Sequence, residues 1–243
     1  MNSPKISSFG SIVAILICLT GANAFAIDEK AAPHATKPAI DCPLRKHGVD
    51  PHALRPFAEV ETYIEFLERP DRAEWQKPDS VVEALALSGN ETIANLGAGS
   101  GYFSFRLAAA VPKGKVWAID IEPEMIRHIH HKALTTQVSN IESVLTALDD
   151  PSVPEGTDLV FVCDVLHHVQ EQSAWLKRLQ GALRPGAKIA LIEFREGELP
   201  QGPPEAMKIS RPEILRLMNG AGFRLVSDHV DVLPYQHFLV FER

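Results

Sequence analysis

The sequence predicts an α/β protein built on a parallel, doubly wound sheet. Short β-branched and apolar runs alternate with segments of helical period from Thr92 to Phe241, the pattern of strand–helix–strand units. The run D-L-V-F-V-C (158–163) has no polar alternation, as in a strand covered on both faces. Three glycines, Gly97, Gly99 and Gly101, sit in I-A-N-L-G-A-G-S-G-Y-F (93–103) where the first strand passes into a helix. In open α/β sheets that junction holds ligands.

Each element follows from local pattern. V-x-x-Y-I-x-F-L within 59–67 is helical in period, and 81–87 is a helix that Asp79 or Ser80 can cap. Strands are expected at 92–96, 115–120, 141–146, 158–163, 187–194, 225–230 and 237–241. Helices fill the intervals at 102–111, 123–133 (proline in its first turn), 172–183 and 211–221, the last opened by Ser210 and Pro212 and closed by Gly222. The stretch E-R-P-D-R-A-E-W-Q-K-P-D (68–79), with two prolines, reads as a connection.

Apolar content of 45% and charged content of 23% in 243 residues suit one soluble globular domain with extensions. A net charge of −7 argues against nucleic acid or an anionic membrane as partner, because phosphate binding relies on Lys and Arg. Residues 1–26 carry Lys5, an apolar run (11–20) too short to span a bilayer comfortably, and small-x-small sites at Ala22–Ala24 and Ala24–Ala26. This predicts a secretory signal peptide and a periplasmic or secreted protein without stable membrane insertion after cleavage; an uncleaved membrane anchor is the alternative. Residues 27–57, with five prolines, read as a linker or N-terminal arm, and 58–243 as the domain. The spacing of Cys42, His47 and His52 is not a zinc spacing, so no metal site is expected, and a Cys42–Cys163 disulfide is not favoured. His128, His130 and His131 do not share one helix face and read as solvated.

Two kinds of nucleoside-containing ligand suit the glycine turn. A dinucleotide fingerprint G-x-G-x-x-G would need glycine where bulky Tyr102 stands. The observed G-x-G-x-G, with Asp120 ending the next strand, resembles instead motif I of class I S-adenosylmethionine-dependent methyltransferases. The resemblance continues through V-W-A-I-D-I-E-P-E-M, D-L-V-F-V-C-D-V-L-H-H-V and L-R-P-G-A-K-I-A-L-I-E-F. R-P-E-I-L-R-L-M-N-G-A-G-F is similar to the late helix of the small-molecule subgroup that includes the quinone methyltransferases. It implies a Rossmann-like sheet of seven strands, mostly parallel with an antiparallel last strand, and S-adenosyl-L-methionine as cofactor.

The resemblance also implies site residues. Gly97, Gly99 and Gly101 would line the cofactor, Asp120 would take the ribose, Ile121 and Met125 would pack near the adenine, and Asp149 would accept from its amino group. Asn95 stands where many relatives carry Asp, and Asp164 would lie near the amino-acid end. His167 and His168 follow the fourth strand, where the acceptor lies in this fold. They are candidates for a general base, and a structural role under the loop is the alternative. Trp75, Tyr102 and Tyr235 are candidates to line the pocket of a small-molecule acceptor. The departure at Asn95 and the missing G-D-A after the third strand leave open a binding module with weak or lost catalysis.

Overall fold

The computed structural model describes residues 43–46, 48–49, 54–55 and 57–243. The proposed signal peptide, Cys42, His47 and His52 lie outside them. Seven strands are formed: β1 (Thr92–Leu96), β2 (Lys115–Asp120), β3 (Ile141–Leu145), β4 (Leu159–Cys163), β5 (Lys188–Phe194), β6 (Arg224–Asp228) and β7 (Gln236–Glu242). They make one sheet in the order β3-β2-β1-β4-β5-β7-β6. β3, β2, β1, β4 and β5 pair in parallel, and β7 runs antiparallel to both β5 and β6, as the sequence implies. The order reverses between β1 and β4, so a crevice opens beyond their carboxyl ends.

The helices are α1 (Pro43–Lys46), α2 (Phe57–Leu67), α3 (Arg72–Gln76), α4 (Pro78–Ala84), α5 (Ser104–Ala110), α6 (Pro123–Thr135), α7 (Gln172–Ala182) and α8 (Arg211–Gly220). Alternation along β4 sends Val160 and Val162 into one apolar layer, with Trp175, Leu179, Leu217 and Met218. Phe161 enters the other, with Val81, Phe103, Leu107 and Phe238. This two-sided burial is why β4 shows no polar period. Among the described residues no helix is long and apolar enough to cross a membrane.

The structure corrects five local expectations. α3 forms inside the stretch read as a connection, and α1 forms within the span read as linker, packing on α6 and β3. α3 ends because Lys77 turns left-handed (φ 38°), and Pro78 opens α4 without a side-chain cap from Asp79 or Ser80. α5 starts at Ser104 rather than near Gly101, whose φ of 83° is incompatible with a helix. His128 and His130 are half-buried rather than solvated, because α6 is covered by α1 and, through Met125, by Val60 and Ile64 of α2. Cys163 is a free thiol.

Phe161 is fully buried, with its ring 4.8 Å from that of Phe103. Phe161→Ala should therefore cost about 3–5 kcal/mol. Urea unfolding should show a lower midpoint at unchanged slope; a loss under about 1 kcal/mol would contradict the packing described.

Candidate active site

The turn after β1 is bound to the end of β2. Gly97 N and Ala98 N donate to Ile119 O at 2.9 and 3.0 Å, while Gly97, Gly99 and Gly101 have φ of 70°, 55° and 83°. The left-handed region disfavours side chains at all three, and the space around them differs. A Cβ at Gly97 would overlap Val165 in the loop after β4, and one at Gly101 would press on Phe105 and Ile129. At Gly99 only Leu67 Cδ1 comes near, at 3.5 Å. Two glycines thus let chain segments pack, and the third leaves bare backbone facing the crevice.

Asp120 faces that backbone. Its Oδ2 accepts from Gly99 N at 2.7 Å and its Oδ1 from Glu122 N at 2.9 Å. Burial raises its pKa, against the opposing effect of these amides. Ile121 is 40% exposed beside it, whereas Met125 is buried against Val60, Ile64 and Leu67. Met125 therefore supports α2, a role the sequence did not indicate. Asn95 donates from Nδ2 to Ser104 Oγ at 2.8 Å, both residues buried, and so ties β1 to the start of α5. Asp149 is exposed, and its carbonyl accepts from Arg178; no contact draws its carboxyl toward Asp120.

A polar centre closes the carboxyl ends of β4 and β5 and the amino end of β7. Asp164, left-handed at φ 58°, receives Gln236 Nε2 on Oδ1 at 2.6 Å and Gln76 Nε2 on Oδ2 at 3.1 Å. Burial and the neighbouring Glu193 raise its pKa to about 6, although Arg72 and the two glutamines oppose the shift. His167 Nδ1 lies 2.7 Å from Glu193 Oε2, with both side chains nearly inaccessible. With Glu193 ionised, Nδ1 donates and Nε2 is left as the basic nitrogen. Burial opposes the imidazolium, but the hydrogen bond and charge of Glu193 outweigh it and raise the His167 pKa. His168 is exposed, its ring 4.1 Å from that of His167. Burial and the neighbouring imidazole lower its pKa.

The three aromatic candidates do not form one wall. The Trp75 ring lies 5.6 Å from Phe194 and 6.4 Å from Tyr235. Tyr102 lies apart from them, with the guanidinium groups of Arg72 and Arg106 4.1 and 4.2 Å from its ring centre. Trp75 Nε1 and Tyr102 Oη are buried without a hydrogen-bond partner.

Residues 94–189 match the family model described as methyltransferase domain. A methyltransferase of Aquifex aeolicus, S-adenosylmethionine-dependent by its description, superposes with a TM-score of 0.69 at 27% identity, over 74% of this chain and 96% of that one. This is a methyltransferase fold. An uncharacterized methyltransferase of Mycobacterium bovis is 26% identical over 51% of this chain and 61% of its own. A ubiquinone/menaquinone biosynthesis C-methyltransferase of Syntrophotalea carbinolica is 24% identical over 64% of this chain and 67% of its own. A tRNA U34 carboxymethyltransferase of Cellvibrio japonicus is 30% identical over 54% and 42%. The chain thus spans about three fifths of the length of the mycobacterial relative (61%). Together the matches show a methyltransferase-like domain on the fold of the Aquifex aeolicus enzyme.

The crevice fits that cofactor. It combines bare left-handed backbone at Gly99, a buried carboxylate at Asp120 and a buried Ser100 Oγ without a partner. The candidate site also contains residues that the sequence analysis did not single out. Glu193 interrupts the apolar run I-A-L-I-E-F, and a charge inside a two-sided strand was the signal for it. Gln76 and Gln236, both fully buried, gave no comparable signal. Glu193→Gln should lower the His167 pKa, because the neutral amide removes the charge that favours the imidazolium. A histidine NMR titration checks this, and an unchanged His167 midpoint would contradict the coupling.

Proposed function

We propose that this methyltransferase fold uses S-adenosyl-L-methionine to methylate a small-molecule acceptor. The observation that carries this reading is the Asp120 carboxylate held 2.7 Å from the Gly99 amide at the switch point of the sheet. A carboxylate there accepts hydrogen bonds from both hydroxyls of a ribose. Glycine at 99 lets the ligand approach the main chain. When bound, the cofactor supplies an electrophilic methyl carbon on a sulfonium.

The residues beyond β4 and β5 supply the acceptor side. His167, oriented by Glu193, takes the proton of an acceptor hydroxyl or amine at Nε2. Trp75, Phe194 and Tyr235 cluster where β5 ends and β7 begins, and an apolar cluster there suits a small acceptor with a flat or apolar body. The resemblance of the late helix to the quinone-methyltransferase subgroup, and the relative from Syntrophotalea carbinolica, support the same class. The relative from Cellvibrio japonicus acts on tRNA by its name, but a net charge of −7 favours an uncharged small acceptor over RNA here. We further propose export through residues 1–26, which N-terminal sequencing of the mature protein tests.

Calorimetry with S-adenosylhomocysteine should show micromolar binding by the wild type and none by Gly99→Arg. Asp120→Asn, which keeps the shape and removes the charge, should weaken binding about 10–100-fold. No heat from the wild type would overturn the cofactor reading. Binding without methyl-donor consumption on any acceptor fraction would favour a binding module.

The base reading predicts its own pH profile. His167 must be neutral to accept a proton, so the rate should rise as pH climbs through its raised pKa. Glu193→Gln should shift that limb to lower pH. A profile unchanged in Glu193→Gln, or full activity in His167→Ala, would assign the pair a structural role.

A further inference from the structure

We propose that α2 forms the outer wall of the cofactor crevice and that Tyr63 covers the nucleoside bound there. This rests on the cofactor reading above and adds a binding residue to it.

α2 is fixed over the glycine turn by its inner face. Val60, Ile64 and Leu67 pack on Met125, and Leu67 Cδ1 stands 3.5 Å from where a Gly99 side chain would begin. The end of the helix is pinned at two further points. Glu68 Oε1 pairs with Lys132 Nζ at 2.5 Å, and the carbonyl of Leu67 accepts from Arg72. Residues four apart on a helix lie one above the other, so Tyr63 stands one turn back from Leu67 on the side of the turn. That turn is where Asp120 accepts from Gly99.

The charges around the Tyr63 phenol agree with this placement. Its pKa is raised by burial first and by Asp120 and Glu122 next, with Arg72 opposing. Tyr63 nevertheless remains 54% exposed, and Ile121, the residue after Asp120, is 40% exposed. Two large apolar side chains thus border the same carboxylate with much of their surface uncovered. A planar base whose ribose is held by Asp120 would cover both. Stacking of a base on an aromatic ring is sequence-tolerant and suits the purine of a nucleoside.

The remaining ring on that face behaves differently. Phe66 stacks on Tyr63 with centroids 6.4 Å apart, and Arg69 lies 4.5 Å from its centre. Phe66 is therefore already partnered by a guanidinium that also reaches Gln201, and it serves as the internal control.

The test is calorimetry on the full chain with S-adenosylhomocysteine and with 5′-methylthioadenosine, which keeps the nucleoside and lacks the amino-acid tail. Tyr63→Ala should bind both about 10–100-fold more weakly, by the same factor for each. Tyr63→Phe, which keeps the ring, and Phe66→Ala should stay close to wild type. Unchanged affinity in Tyr63→Ala, a loss confined to S-adenosylhomocysteine, or an equal loss in Phe66→Ala would each overturn the wall while leaving the cofactor site in place. Absence of binding by the wild type would overturn the cofactor reading and the wall with it.

Discussion

The hydrogen bond from Gly99 N to Asp120 is the contact on which the site is organised. It joins the ends of two neighbouring parallel strands, across a turn that runs through three left-handed glycines at alternate positions. The bond draws a carboxylate to the least crowded of the three glycines in the turn. Everything else in the crevice is placed relative to it: Leu67 and the inner face of α2 lie over the turn, and Ile121 follows Asp120 into solvent. A buried carboxylate is costly unless amides satisfy it, and here Gly99 and Glu122 both do so.

The second organising feature is electrostatic. Burial and the nearby Glu193 carboxylate raise the cost of ionising Asp164. The structure offsets this with donors drawn from distant parts of the chain: Gln76 from the N-terminal side, Gln236 from the last strand, and His167 from the loop after β4. This spreading of partners explains why the ends of the domain are folded back onto its centre. It also separates the two histidines chemically, since one is held by a carboxylate and the other is not.

The sheet was legible because its signals are local. An uninterrupted apolar strand, a proline in a first turn and a Ser-Pro helix start each report their own surroundings. The glycine turn and Asp120 were legible for the same reason. What the sequence hid depends on contacts between remote residues. Met125 faces α2 only because α2 packs on α6, and Asn95 meets Ser104 where α5 starts, two residues later than expected. Gln76 looked like any polar residue between prolines until Asp164, 88 positions away, gave it a partner. Asp149 follows the third strand in an exposed loop, where its carbonyl is held by Arg178 on α7.

Lys77 sets how the N-terminal helices are hung. It joins α3 to α4 in a left-handed conformation that lysine adopts with reluctance, at a cost of about 1–2 kcal/mol. A glycine would relieve that cost but would sample many more angles in the unfolded chain and in the joint itself. Lysine followed by proline makes the joint stiff. The arm that it carries is thus a fixed bracket, and access to the crevice depends on the gap the bracket leaves open at its rim.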